Sequence, residues 1–163
     1  MRLVFETILH TVVFPGSVLV AVPYLLLSSR PDPFAASDLP LRVLGGLSVL
    51  AGIVLGLWCT RQFVVLGSGT PNPADPPRFL VGVGPYRIVR NPMYVAVGLM
   101  LAGEALTFGS ISLLAYVVLM ALVCHVVVVF SEEPTLRRAF GPAYVEYCRR
   151  VPRWIPSRRR THD

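Results

Sequence analysis

Four long apolar runs dominate the sequence, and they limit the possible fold more than any other feature. The runs cover residues 3–27, 44–66, 93–108 and 111–130. A membrane-crossing helix needs about 20 consecutive apolar residues, and in lipid a single spanning segment satisfies its backbone only as a helix. The runs therefore predict an all-α integral membrane bundle of about four transmembrane helices, forming a single domain over residues 1–163.

The arginines predict the orientation of this bundle. Hydrophobic residues make up 54% of the chain and charged residues only 15%, which excludes an ordinary soluble domain. Of the fifteen positive residues, all arginines, only Arg30 and Arg42 fall in the loop between the first two runs. The positive-inside rule then places both termini and the tail, residues 131–163, on the cytoplasmic side of the cell's inner membrane. The charge between apolar runs favours an anionic bilayer surface over nucleic acid as partner.

The loop before the third run carries an unusual motif, Gly82-Val-Gly-Pro-Tyr-Arg-Ile-Val-Arg-Asn-Pro-Met-Tyr94. Pro92 suits the first turn of a helix, and Asn91 is the predicted N-cap. The unpaired backbone N–H groups at such a helix start can bind a carboxylate at the membrane surface.

A second motif follows the fourth run. Glu132 and Glu133 end this run, and a carboxylate beside the bilayer needs a cationic partner. For Glu132, that partner is either an arginine of the loop or tail or a cationic ligand. Apolar residues then recur at helical spacing beside arginines, which predicts an amphipathic helix interrupted at Gly141-Pro142. Such a segment either lies on the membrane or folds back as a lid over the helix ends.

Two ionisable residues lie deep inside the apolar runs, Glu104 in the third and His125 in the fourth. Intramembrane ionisable groups are candidates for function, although both can also be paired within the bundle. We take Glu104 and His125, together with Glu133, as candidate substrate-binding residues. We predict no metal site, because His10, His125 and His162 have no ligand spacing.

Together the two motifs resemble a known family. The segment from Gly84 to Tyr94 resembles the G-x-Y-x-x-x-R-H-P-x-Y pattern of the isoprenylcysteine carboxyl methyltransferase and phospholipid methyltransferase superfamily. The Glu132-Glu133 pair and the apolar positions after it resemble the C-terminal pattern of that superfamily. The resemblance implies S-adenosylmethionine as cofactor, with a cofactor-binding set of Tyr86, Asn91, Pro92, Met93, Tyr94 and Glu132, in which Glu132 holds the cofactor.

The chain departs from the family at two positions. Asn91 stands where the family has His, and an amide cannot act as a base. Val128 stands where the isoprenylcysteine enzymes have a substrate-binding Arg, which argues against a prenylcysteine carboxylate as substrate. No residue is identified as a general base.

We predict an S-adenosylmethionine-dependent methyltransferase acting on a lipid-like or membrane-delivered small substrate at the cytoplasmic face of the membrane. Two alternatives stay open. The first is an NADPH-dependent membrane reductase of the steroid-reductase type, which resembles this superfamily in its C-terminal region. The second is a non-enzymatic membrane scaffold protein.

Overall fold

The fold is all-helical in the residues that the computed structural model describes, which are 16–29, 38–65, 80 and 82–156. Within those ranges there are helices and turns and no strands, which confirms the predicted all-α class. The first predicted span lies partly outside the described residues, as does the end of the tail. The single-domain organisation over residues 1–163 stays a prediction.

Six α-helices make up most of the described chain. In order they are α1 (Val22–Ser29), α2 (Leu39–Val65), α3 (Pro92–Phe108), α4 (Ile111–Val127), α5 (Glu133–Phe140) and α6 (Pro142–Arg150). Two π-helical turns, Ser17–Ala21 and Val128–Glu132, lead into α1 and join α4 to α5, and a 3-10 turn, Gly84–Arg87, precedes α3. The last described segment, residues 151–156, has no regular structure, and we call it the C-terminal strap.

The helix limits agree with three of the apolar runs. Helix α2 begins five residues before the run predicted at 44–66, because the Asp38 carbonyl accepts the first helical N–H groups. Two helical stretches, Leu39–Gln62 and Ile111–Phe140, are long and apolar enough to cross a membrane, and Ser17–Ser28 and Pro92–Phe108 are shorter apolar helices. The four-span arrangement and its orientation remain predictions.

Small residues bring α2 and α3 into close contact. A Cβ atom on Gly103 would lie 2.6 Å from the Gly45 carbonyl oxygen and 2.8 Å from the Val49 nitrogen. One turn further on, the Ser48 hydroxyl donates a hydrogen bond to the Leu99 carbonyl at 2.8 Å. Gly52 faces Ala96 at similarly short range. Membrane helices associate through this kind of close backbone approach, since lipid gives them no hydrophobic driving force.

We expect Gly103→Ala to destabilise the fold by about 1–3 kcal/mol, the usual cost of overpacking, because the added methyl group meets backbone atoms. Gly98→Ala, on the same helix, is the matched control. Its added Cβ would meet none of the described residues within 4 Å, so it should shift stability by less than about 1 kcal/mol. Equilibrium unfolding in mixed detergent micelles measures both. Equal effects of the two substitutions would show that the α2–α3 contact is not as tight as described.

Large apolar side chains cover the outer faces of α2 and α4. Leu47, Leu57, Leu119 and Leu122 are among the exposed ones, whereas buried positions concentrate on α3, at Ala96, Leu101 and Ala105. Exposed apolar surface on this scale on two long helices is what a lipid-facing protein requires. Helix α3 therefore lies inside the bundle, and its first turn lies where the loop and the tail converge.

The tail folds back over the start of α3 instead of extending away from it. Gly141, with φ of 52°, breaks the amphipathic segment into α5 and α6 at the predicted position. The strap then returns to the loop, where the Arg90 N–H donates to the Pro152 carbonyl at 2.8 Å. The geometry corresponds to the lid alternative for this segment.

Candidate functional site

The site lies where the first turn of α3, the π-helical turn after α4 and the strap meet. Asn91 occupies the predicted N-cap position of α3, but its side chain caps no helical N–H. Its amide instead donates to the Arg153 carbonyl of the strap at 3.3 Å. The N-cap side chain thus holds the strap in place, which leaves the start of α3 uncapped by this residue.

Tyr94 and Glu132 form the central pair of the site. Tyr94 lies in the first turn of α3, and its hydroxyl donates a hydrogen bond to Oε1 of Glu132, the last residue of the π-helical turn. Within the described part of the chain, this neutral phenol is the only side chain hydrogen-bonded to the Glu132 carboxylate, and no arginine pairs with it. Glu132 is half-buried, so its charge is only partly solvated.

The neighbouring residue, Glu133, has the opposite environment. Its side chain is 10% exposed, and both of its oxygens are paired. Oε1 accepts from Arg90 Nη1 at 3.0 Å and from Arg153 Nε at 2.6 Å, and Oε2 accepts from Arg153 Nη2 at 3.0 Å. The hydrogen bond to Glu133 raises the pKa of Arg153. Arginines were expected as possible partners of Glu132, but in the structure Arg90 and Arg153 pair with Glu133 instead.

Tyr86, on the 3-10 turn, borders the site on another side. Burial raises the pKa of the Tyr86 phenol well above its usual range, and the nearby Cys59, Tyr147 and Glu132 add to this shift. Tyr86 is therefore a neutral phenol at physiological pH. The Tyr147 hydroxyl donates to the Tyr86 carbonyl at 2.7 Å, which fixes the turn against α6.

The strap contributes Trp154, which contacts the site from a further side. Its ring meets that of Tyr94 edge-on, with 6.3 Å between centroids and 69° between planes. Its indole N–H donates to His125 Nδ1 on α4 at 3.2 Å. Trp154 therefore connects the Tyr94–Glu132 pair to a residue on the outer surface of α4.

The structure brings together some of the predicted site residues and separates others. Pro92 and Met93 lie in the first turn of α3 beside Tyr94. Glu104 lies ten residues beyond Tyr94 on the same helix, which is about 15 Å along the axis. Its Oε2 atom is buried and has no hydrogen-bond partner among the described residues. Among the contacts of the described residues, His125 reaches the site through Trp154.

Several residues of the site were missed in the sequence analysis. Arg90, Arg153 and Trp154 were not identified as site residues, nor was Cys148, whose sulfur accepts from Arg90 Nη1 at 2.9 Å. The sequence does contain a hint of these contacts. Two adjacent carboxylates beside the bilayer need cations, and arginines are present in the segments that flank the apolar runs. That signal does not say which arginine pairs with which carboxylate.

A groove of about 550 Å³ opens beside the site, between the loop before α3 and helix α6. Arg87 lines it on the loop side, and Glu146, Tyr147 and Arg150 line it on the helix side. It includes none of the predicted cofactor-binding residues among its lining. Through the Tyr147–Tyr86 hydrogen bond it is nevertheless connected to the turn that borders Glu132.

Two curated bacterial proteins are similar to this chain. The cobalt-zinc-cadmium resistance protein CzcN of Cupriavidus metallidurans is 33% identical over 142 residues, covering 84% of this chain and 61% of CzcN. The nickel-cobalt-cadmium resistance protein NccN of Alcaligenes xylosoxydans xylosoxydans is 32% identical over 121 residues, covering 71% of this chain and 50% of NccN. The chain thus spans between half and three-fifths of the length of these relatives. No solved structure matches it.

The family comparison agrees with the two motifs. The profile of the phospholipid methyltransferase family matches residues 40–143, which is more than half of the chain and covers α2 from its second residue together with all of α3, α4 and α5. The chain belongs to this family of membrane methyltransferases, within the superfamily that also contains the isoprenylcysteine carboxyl methyltransferases.

Proposed function

We propose that this protein is an S-adenosylmethionine-dependent methyltransferase that acts on a lipid-like or membrane-delivered small substrate. The observation that carries the proposal is the contrast between the two adjacent carboxylates. Glu133 is neutralised by two arginines, whereas Glu132 has a neutral phenol as its side-chain partner in the described structure. A half-buried carboxylate without a cation is suited to bind a cationic ligand.

The residues around Glu132 fit the cofactor. S-adenosylmethionine, when bound, supplies an electrophilic methyl group on a positively charged sulfur, and it also carries an amino group. The Glu132 carboxylate would hold the amino group, and Tyr94 orients that carboxylate through its hydroxyl. Tyr86, Asn91, Pro92 and Met93 complete the proposed cofactor-binding set.

The protein's contribution to methyl transfer would be binding, orientation and exclusion of water. Tyr86, which is partly buried, and the ring of Trp154, which is edge-on to Tyr94, would limit the water around the Tyr94–Glu132 pair. A dry site favours transfer, because the positive charge of the sulfonium is lost as the methyl group leaves. Tyr86 is held as a neutral phenol, so it would serve as a hydrogen-bonding group and not as a base.

The substrate-binding residues remain proposals. His125 lies next to Trp154 and is the better placed of the two intramembrane candidates, since Glu104 lies about 15 Å further along α3. Both oxygens of Glu133 are occupied by arginines, which supports a role in holding the strap in preference to contact with substrate. The outward apolar faces of α2 and α4 support delivery of the substrate from the bilayer.

Cofactor binding tests the proposal directly. The purified protein in detergent or nanodiscs should bind labelled S-adenosylmethionine saturably and show no saturable binding of NADPH. Binding of NADPH alone would favour the reductase alternative, and binding of neither would favour the scaffold alternative. The methyl acceptor is then sought by incubating the protein with host lipid extract and labelled cofactor, followed by mass spectrometry of the methylated product.

The relatives suggest conditions for that search. CzcN and NccN are named for resistance to cobalt, cadmium and either zinc or nickel. We propose that lipid extracts from cells grown with and without these metal ions be compared as sources of the acceptor. A methylated product found only with the extract from cells grown with the metal ions would connect this chain with metal tolerance.

We expect Tyr94→Phe to weaken cofactor binding by roughly fivefold, about 1 kcal/mol, the usual contribution of one neutral hydrogen bond. The ring and its contact with Trp154 are retained, but the hydroxyl that orients Glu132 is lost. Isothermal titration calorimetry measures the change. Tyr116→Phe is the matched control, because that hydroxyl donates to the Val18 carbonyl, away from the site. Equal affinities of the two variants would contradict the role given to Tyr94.

A further inference from the structure

Trp154 bridges the reactive end of the proposed site and the outer surface of the helix bundle. The centroid of the Trp154 ring lies 6.3 Å from that of Tyr94 and 6.2 Å from that of His125. His125 is exposed and lies on α4, within the stretch Ile111–Phe140 that is apolar enough to cross a membrane. We infer that Trp154 is the wall between the site and the bilayer, and that it determines which membrane-borne acceptors reach the Tyr94–Glu132 pair.

Exposed apolar residues on the π-helical turn and on the strap place this wall at the edge of the lipid. Phe130 is 75% exposed and Ile155 is 78% exposed, the first on the π-helical turn and the second next to Trp154 on the strap. Large exposed apolar residues at the end of a spanning helix are suited to the boundary between headgroups and acyl chains. Tryptophan is enriched at that boundary, because its ring is apolar and its N–H is polar.

In the described structure, the indole of Trp154 is held by fewer hydrogen bonds than the neighbouring residue of the strap. Arg153, the preceding residue, is held by Glu133 through its guanidinium and by Asn91 through its carbonyl. In the described part of the chain, the indole makes one hydrogen bond, to His125. The strap is therefore anchored independently of the indole, so substitutions of Trp154 should leave it in place.

This inference rests on the proposed function and adds a specificity-determining residue to it. A wall that faces the acceptor should affect the acceptor more than the cofactor. Changes at Trp154 should therefore alter the KM of the acceptor and the range of acceptors used by a larger factor than they alter the affinity for S-adenosylmethionine.

Fluorescence tests the position of the wall without any need for activity. The chain has two tryptophans, Trp58 and Trp154, so Trp58→Phe leaves Trp154 as the only tryptophan and Trp154→Phe leaves Trp58. Each variant is reconstituted in phosphatidylcholine vesicles with acyl chains brominated close to the headgroup. Trp58, which is 45% exposed on α2, is the reference for a tryptophan on the outer surface of a helix long enough to span the membrane.

We expect Trp154 to lose most of its emission in the brominated vesicles relative to unlabelled ones, and to be little affected by aqueous iodide. Emission that survives bromination but is quenched by iodide would place Trp154 against the cytosol and overturn the inference. Because this measurement requires no cofactor, it gives the same answer whether or not the proposed function is correct.

Product analysis tests the specificity itself. With host lipid extract and labelled cofactor, Trp154→Ala should shift methylation towards bulkier acceptors, and Trp154→Phe should shift it less. Trp58→Ala should leave the product distribution unchanged. An unchanged distribution in Trp154→Ala, or a loss of cofactor affinity as large as the change in acceptor KM, would refute the assignment. Failure of the wild-type protein to bind S-adenosylmethionine would instead refute the proposed function.

Discussion

Glu132→Gln is expected to weaken the binding of S-adenosylmethionine about tenfold or more, on the order of 1.4 kcal/mol, the scale of a lost charge-assisted hydrogen bond. Glutamine has nearly the same size and can still accept the hydrogen bond from Tyr94. It cannot supply the negative charge that the cationic cofactor needs. The substitution therefore isolates the charge from the shape of the site, and isothermal titration calorimetry with the cofactor measures its effect.

The matched control for Glu132→Gln is Glu146→Gln. Glu146 lies on α6, where it pairs with Arg149 and Arg150. Removing its charge changes the net charge of the protein by the same amount but does not touch the Tyr94–Glu132 pair. A folded Glu132→Gln protein that binds the cofactor as tightly as the control would show that Glu132 is not the cofactor-binding carboxylate.

The second large effect is expected at Glu133. Glu133→Ala should lower the free energy of unfolding by about 3 kcal/mol, because breaking a buried ion pair leaves uncompensated charge in a poorly solvated place. Arg90 would remain largely buried and Arg153 partly so, both without their carboxylate. The strap should then detach more often, which hydrogen exchange of the Arg90 amide reports, since this amide donates to Pro152.

Glu146→Ala is the control for this prediction. It removes two exposed ion pairs, on Arg149 and Arg150, and exposed pairs contribute at most about 1 kcal/mol. Equilibrium unfolding in mixed micelles compares the two variants. If both lose the same stability, and the Arg90 amide exchanges equally fast in both, then Glu133 does not hold the strap.

Much of the fold could be predicted from the sequence because its signals are local. The apolar runs gave α3 and α4 nearly to the residue, Pro92 marked the start of α3, and Gly141-Pro142 marked the break between α5 and α6. Each of these features depends on a few neighbouring residues, through hydropathy, a fixed φ or a positive φ. The start of α2 was placed late, because Pro40 and Arg42 in its first turn interrupt the apolar run.

The partners within the site could not be predicted in the same way. Asn91 was expected to cap α3, but its amide binds the strap 62 residues later. Two adjacent acidic residues give the same signal in sequence, and only the fold shows that Arg90 and Arg153 both pair with Glu133. These contacts join segments that are far apart along the chain, so they depend on the return of the tail. No local pattern describes that return.

The π-helical turn Val128–Glu132 has a consequence for how this region tolerates change in length. Such a turn is accommodated as one additional residue within an α-helix. Deleting one apolar residue there would restore regular winding and leave the downstream carboxylates close to their present orientation, because the wider turn is what absorbs the extra residue. A deletion in a regular helical stretch would instead rotate everything downstream by about 100°, the angle between successive residues of an α-helix. A single deletion in this turn should therefore be better tolerated than one elsewhere in the helices.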